Sequence, residues 1–446
     1  MNSVSHSRCL LILLDGLGDR SYPEFGHKTP LQAARTPHLD AFAALGANGL
    51  FHATRPGFAL PSENAHFAMF GYGEDEFPGR GYLEALGADL SIGYDEVALL
   101  AHFVSVKNEK GVLHIERHRP EISADQASAL VESLASRQIS GMEVSFAQTG
   151  MLDGILRIRG PVSSLVSDTD PVQRHCPMLA ALPHESAGDD LRARRTAEVL
   201  NAYLAHCYHI LESHPINRQR TQQGLLPVNA LVTQRAGQRK DVESFERRWG
   251  MKGLTIASGL VYRGLGKYIG LDVYRVSDGD DPGADLATRI EYALSRRDSR
   301  FVHIHTKTPD AAAHSKSPAR KVKVIESLDR GLTGLLRVAE AENIFVVVTA
   351  DHSTPSSGPL IHSGEWVPFT VTGPGIRRDL VRHFDEVHCG AGSLGQLNGG
   401  DFMPLVLNWL DCAKLQGLMD TARDQPYWPG NRVPFRLDRI QGDQDV

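Results

Sequence analysis

The chain has 446 residues, with 47 Lys and Arg against 53 Asp and Glu, a formal net charge of -6. That mild acidity supplies no field to gather nucleic acid or an anionic membrane surface, so an anionic substrate must be met by metals and a few local cations. Charged residues make up 22% and hydrophobic residues 41%, as in a globular protein, and the length suits more than one domain.

The first apolar run, Cys9 to Leu14, is too short for a signal-peptide core, and no stretch reaches the roughly 20 apolar residues that cross a bilayer. The five cysteines, Cys9, Cys176, Cys207, Cys389 and Cys412, are odd in number and include no CxxC pair. This argues against a disulfide framework and a zinc-thiolate site, and for a reducing compartment. The expectation is a cytoplasmic protein with no membrane or nucleic-acid partner; its oligomeric state is not legible.

In chain order, Cys9 to Leu14 reads as a strand buried on both faces, ending in Asp15-Gly16. Thr36-Pro37 to Leu45-Gly46 reads as a helix with Pro in its first turn and Gly at its end. From about Tyr94 to Leu165 the pattern changes to strand-like runs, Val97 to Val106, Val112 to Ile115 and Gly154 to Arg159. A turn at Asn108 to Gly111 and a helix over Ser123 to Ser136 complete that region. Helices follow at Thr196 to Leu211 and, as one long amphipathic element, at Lys321 to Ala341. Phe301 to Lys307 and Phe345 to His352 repeat the first pattern, an apolar strand with polar residues at its carboxyl end. From about Asp424 the tail is loop-like. The reading is an α/β core with a smaller α+β domain inserted, residues 94–186, between core segments 1–93 and 187–446.

In an open α/β sheet, ligands bind beyond the carboxyl ends of the strands. Asp15, Asp351 and His352 stand at such ends. Asp310 and His314, four apart, can meet on one side of a helical turn. With His362 they form a set of Asp and His residues of about the size two divalent metals need. Two metals suit phosphoryl transfer, because they stabilise both the attacking and the leaving oxygen. Pro61-Ser62-Glu63-Asn64-Ala65-His66 offers a hydroxyl nucleophile at the start of a helix, where backbone N–H groups face a phosphate. A simple N-cap serine would look the same.

Longer motifs run along most of the chain. They include Asp15-Gly16-Leu17-Gly18-Asp19-Arg20, Lys28-Thr29-Pro30-Leu31, Gly79-Arg80-Gly81, Ser167-Asp168-Thr169-Asp170-Pro171, His214-Pro215, Asp351-His352-Ser353-Thr354-Pro355 and Gly400-Asp401. In this order they resemble the archaeal-type, cofactor-independent (2,3-bisphosphoglycerate-independent) phosphoglycerate mutases of the alkaline phosphatase superfamily. The resemblance implies an alkaline-phosphatase-like core, a mostly parallel sheet flanked by helices, with the insert acting as a lid. It implies one metal on Asp15, Ser62, Asp351 and His352, and a second on Asp310, His314 and His362. Manganese and zinc suit that shell better than magnesium. Ser62 would carry phosphate between the two hydroxyls of glycerate, Lys307 would contact the phosphate, and Asp168 would serve as the base. His66, Asp170, Arg220 and Arg235 would contact this small phosphorylated substrate.

The chain also departs from the family pattern. Pro61-Ser62-Glu63-Asn64 stands where Gly-Ser-Asp-Thr is usual, Thr308-Pro309 precedes Asp310, Ala313 replaces a Gly, and Val172 follows Pro171 in place of a His. Two readings therefore stay open at this point. One is interconversion of 3- and 2-phosphoglycerate. The other is a phosphomonoesterase or specialised mutase for a related phosphorylated or phosphonate metabolite.

Overall fold

The computed structural model describes residues 7–173 and 175–437. Its strands, in chain order, are β1 (Arg8–Leu14), β2 (Ala47–His52), β3 (Glu96–Glu109), β4 (Val112–His118), β5 (Arg137–Ile139), β6 (Met142–Gln148) and β7 (Asp153–Arg159). They continue with β8 (Ala230–Gln238), β9 (Gly253–Ala257), β10 (Asp272–Arg275), β11 (Phe301–Thr306), β12 (Ile344–Thr349), β13 (Val367–Thr372) and β14 (Gly395–Asn398). Two compact units emerge. The core unit comprises residues 1–74, 243–258 and 269–446, and the second unit residues 75–242 and 259–268.

The core unit is built on an eight-stranded sheet ordered β10-β9-β11-β1-β12-β13-β2-β14. β10, β9, β11, β1 and β12 run parallel, and β13 is antiparallel to both its neighbours. The apolar run that opens the chain lies in the middle of this sheet. Leu10, Leu11, Ile12, Leu13 and Leu14 are fully buried, each contributing about 1.5–3 kcal/mol of apolar transfer as an upper bound. Register then sets the site: Leu14 pairs with Thr306, and Leu13 with Thr349. The next residues of all three strands therefore leave the sheet at one edge.

The second unit is built on an antiparallel sheet ordered β4-β3-β7-β6-β5, with β8 also paired to β3. Its core gathers Val97, Leu99, Phe103, Leu156 and Leu231 against Leu200, Tyr203 and Leu204 of the helix Leu191–Ser213. This unit is wider than the expected 94–186, for two reasons. β8 pairs along β3 from Val97 to Val104, drawing in the chain up to 242. The helices Arg80–Gly87 and Leu260–Tyr268 pack so closely that a Cβ on Gly264 would run into the Leu83 carbonyl.

The long helix expected from Lys321 to Ala341 is two helices, Pro318–Gly331 and Leu335–Glu342, separated by a turn through Gly334. The helix expected over Ser123 to Ser136 stops at Glu132, and the chain continues into the edge strand β5. The loop-like tail is irregular as far as residue 437, and the rest of it lies outside the described residues. Among the described residues, no helix is long and apolar enough to cross a membrane.

Candidate active site

Polar residues begin where the three central strands stop. Asp15 follows β1, Lys307 and the short helix Thr308–His314 follow β11, and Asp351 and His352 follow β12. Asp15, Asp310, Asp351 and His352 are all buried. Burying several carboxylates at one edge demands compensating positive charge, because an isolated buried carboxylate is very costly.

The first cluster forms around Asp351. Its Oδ1 accepts the backbone N–H groups of Gly16 and His352, both at 3.0 Å. Its Oδ2 makes no hydrogen bond and lies 3.2 Å from His352 Nε2. Ser62 Oγ is 2.8 Å from the same Nε2 and 3.4 Å from Asp15 Oδ1. Ser62 opens the helix Ser62–Met69 behind Pro61, so its hydroxyl stands where the first-turn N–H groups point outward.

The second cluster forms around Asp310. Its Oδ1 accepts from Thr354 Oγ1 at 2.9 Å and lies 3.1 Å from His314 Nε2 and 3.5 Å from His362 Nε2. His362 Nδ1 is 2.7 Å from the Leu60 carbonyl. A carbonyl only accepts, so Nδ1 carries the proton and Nε2 turns its lone pair inward. Thr354 Oγ1 is also 3.1 Å from His352 Nδ1, and the His352 and His362 rings stack at 3.8 Å, which joins the two clusters. Asp310 Oδ2 makes no hydrogen bond, and Lys307 Nζ lies 3.8 Å away on a part-exposed side chain.

The donor set fits divalent cations. In each of the trios Asp15, Asp351, His352 and Asp310, His314, His362, ligand atoms lie within 4.8 Å of one another. Each trio holds a buried carboxylate oxygen without a hydrogen bond, and backbone and hydroxyl donors orient its partner oxygen, as outer-shell groups of metal sites do. Burial would raise the Asp310 and Asp351 carboxyls. His314 and His362 outweigh it at the first, His352 and His66 at the second, and both are held well below the usual carboxylate range. Burial pulls the His352 imidazole down, but Asp351, then Asp15 and Asp310, raise it to about 9. The centre is a sink for positive charge.

Several supporting residues escape a reading of the sequence. His305 Nε2 lies 3.0 Å from Asp15 Oδ2, and His303 and His305 sit beside His66 with ring centroids 5.3 Å from it. Their signal is a pair of histidines two apart in an otherwise apolar strand, on one face of it. Lys321 is a second case. Its buried ammonium donates to the carbonyls of Gly18 and Thr354, both at 2.9 Å, and pairs with Asp19 at 3.1 Å. That ties the loop after β1 to the loop carrying Thr354. Gly16 belongs to the same knot. Its φ is +65°, and a Cβ there would meet Thr354 Oγ1 at 2.6 Å and Asp310 Cβ at 2.8 Å.

His66 is not the substrate contact expected of it. It is fully buried, with Nδ1 2.7 Å from the Ser62 carbonyl and 3.5 Å from Asp351 Oδ2. Four residues along the helix, it points into the core beneath Ser62. Burial first, against the pull of Asp351, lowers its pKa.

The remaining sequence candidates belong to the second unit. Asp168 accepts the Arg235 backbone N–H at 2.6 Å, and burial raises its carboxyl against that bond and the Arg235 charge. Arg235 itself sits at φ +51° in β8 and lines a cavity of about 460 Å³ with Arg80, Arg119 and His102. Asp170 is buried and engaged. It accepts the Val172 N–H and Gln234 Nε2, each at 2.7 Å, and lies 3.0 Å from His118 Nε2. It is therefore not placed to meet a substrate hydroxyl as expected. Nor is Arg220 placed to meet a carboxylate. Buried in the helix Pro215–Gln222, it donates to the carbonyls of Leu226 at 3.0 Å and Glu121 at 2.7 Å and to Gln126 at 3.3 Å. Its planar fork is used to fasten loops.

Comparison with known proteins shows the family. A family model described as 2,3-bisphosphoglycerate-independent phosphoglycerate mutase matches residues 43–217. The chain is 40% identical over 430 residues to 2,3-bisphosphoglycerate-independent phosphoglycerate mutase 2 of Methanocaldococcus jannaschii, covering 95% of this chain and 97% of that one. It is 33% identical over 408 residues to the mutase of Thermococcus kodakarensis, covering 90% and 97%. Among solved structures it resembles a Pyrococcus horikoshii protein with a TM-score of 0.74 and 27% identity, covering 93% of this chain and all (100%) of that one. It also resembles the cofactor-independent phosphoglycerate mutase of Thermoplasma acidophilum, with a TM-score of 0.62 and 28% identity, covering 91% and 100%. With near full-length similarity at 40% and 33% identity, the chain belongs to the family of 2,3-bisphosphoglycerate-independent phosphoglycerate mutases.

Proposed function

We propose that this protein interconverts 3-phosphoglycerate and 2-phosphoglycerate by passing the phosphoryl group through Ser62, with two divalent cations at the core site. The observation that carries the reading is the place of the Ser62 hydroxyl, 2.8 Å from His352 and 3.4 Å from Asp15, amid two clusters of cation ligands. Asp15, Ser62, Asp351 and His352 would hold one cation, and Asp310, His314 and His362 the other. Such ions supply Lewis acidity, lowering the pKa of a bound hydroxyl and neutralising phosphoryl oxygens, and manganese or zinc suits this shell better than magnesium.

Ser62 Oγ attacks phosphorus, the P–O bond to one glycerate hydroxyl breaks, and that oxygen takes up a proton. The second hydroxyl then gives up its proton and attacks the phosphoserine, restoring Ser62. Lys307 offers an ammonium to the phosphoryl oxygens. Asp168 is our choice for the proton acceptor, since burial raises its carboxyl pKa above the ordinary aspartate value and so makes it a better base. Arg235 is our choice for the carboxylate contact, where a planar guanidinium binds bidentately. The five cysteines are free thiols, which supports a cytoplasmic location.

The test is chemical trapping. Acid quench of the manganese-loaded protein with phosphorus-labelled 3-phosphoglycerate should leave label on Ser62. The Ser62→Ala protein should retain its metals, carry no label and lose turnover. Normal turnover in that variant would refute the nucleophile.

A further inference from the structure

Two histidines and an aspartate converge on the sheet of the second unit. His102 lies within β3, His118 ends β4, and His118 pairs with Val104, two residues beyond His102. Residues two apart share a face, so the two imidazoles are diagonal neighbours, with centroids 5.5 Å apart. Asp170 enters from the segment after β7. Its Oδ1 lies 3.0 Å from His118 Nε2, and its Oδ2 lies 3.4 Å from His102 Nε2. The three ligand atoms lie within 4.8 Å of one another.

The His118 contact is a hydrogen-bond distance, and both separations also match those between ligands of one ion. Ligand atoms about 2.1 Å from a common ion sit roughly 3.0–3.4 Å apart in octahedral and tetrahedral geometry. His102 gives the independent observation. It is only 4% exposed, and its Nε2 makes no hydrogen bond although it faces a carboxylate. A bare nitrogen lone pair against an anion is unfavourable, and an N–H there would be expected to donate to Asp170. A cation between the two satisfies both. Gln234 and the Val172 N–H hold the carboxylate from outside, each at 2.7 Å, as outer-shell donors do. His102 also lines the cavity shared with Arg80, Arg119 and Arg235, which gives an ion a way in and room for water ligands.

The geometry points to a third metal site, made by His102, His118 and Asp170, that takes a first-row divalent cation of the zinc class with water on its open positions. The site does not depend on the mutase reading, since its ligands all belong to the second unit.

The test is metal content of the full-length protein after loading with zinc and desalting. His118→Asn should bind one equivalent fewer than the parent, with affinity at the lost site weaker by at least about 100-fold, the upper end of the effect of outer-shell losses. His118 is the least buried of the three, and cations kept at the core site certify that the variant folds. A second variant, Asp310→Asn with Asp351→Asn, should still bind one cobalt equivalent with visible absorption, and adding His118→Asn should remove it. Equal zinc content in parent and His118→Asn, or no cobalt bound by the core-site variant, would overturn the proposal.

Discussion

The two units assemble polar centres by opposite routes. In the core, β1 and β12 are apolar along most of their length, β11 alternates apolar residues with His303 and His305, and the proposed ligands come just beyond the strand ends. Parallel strands all finish at the same edge, so one register brings Asp15, Asp310 and Asp351 together. In the second unit, antiparallel β3 and β4 carry His102 and His118 within the strands, and pairing alone decides that they meet. A parallel sheet thus advertises its site in sequence as an apolar run ending in an acid. An antiparallel sheet hides its polar cluster inside ordinary alternation.

The largest effect should fall on the core. Asp351→Asn or Asp310→Asn should each lose about one metal equivalent and lower turnover by at least about 1000-fold, since the proposed ions would stabilise both oxygens of the displacement. Elemental analysis beside a turnover assay checks this, and unchanged metal content would break the pairing of ligands to clusters. Next comes Arg220, a fastener in the second unit. Arg220→Ala should lower unfolding stability by about 2–4 kcal/mol, as for buried charged donors left without a replacement, with KM unchanged. Urea unfolding and steady-state kinetics would separate this from a substrate contact, for which KM would rise at constant stability.

Asp168 should show a smaller and more specific effect. Its raised carboxyl predicts that the acid limb of the pH–rate profile lies above the ordinary aspartate value. That limb should disappear in Asp168→Asn. A limb that survives would move the proton acceptor elsewhere.

The smallest effect concerns the knot behind the core ligands. Glu386 accepts from the Asp19 N–H and from Thr29 Oγ1, and burial raises it from 4.5 to about 7. Below pH 4.5 the carboxyl is protonated in both folded and unfolded chains. Between 4.5 and about 7 the unfolded chain releases the proton first, so stability falls as pH rises through that window. Glu386→Gln should flatten this slope in thermal melting across the same range.

Much of the core was legible for one physical reason. Burial on both faces leaves strands such as Cys9 to Leu14 without polar residues, so an Asp at the end stands out. The spacing of Asp310 and His314 likewise shows one helical turn. His305 and Thr354 were not legible, because their importance lies in what they touch across the sheet edge. The burial of His66 was hidden for the same reason: helix phase decides whether it faces substrate or core, and the motif around Ser62 does not show that phase. The width of the second unit depended on the pairing of β8 with β3, a contact between segments more than 100 residues apart. Arg220 illustrates the limit of residue type, since a guanidinium suited to a carboxylate suits backbone carbonyls equally well.

The most direct measurement is a phosphorus NMR time course with manganese-loaded protein and 3-phosphoglycerate, with no bisphosphoglycerate added. Transfer through Ser62 predicts a growing 2-phosphoglycerate signal with no free phosphate. Accumulation of free phosphate, or an unchanged spectrum, would contradict it.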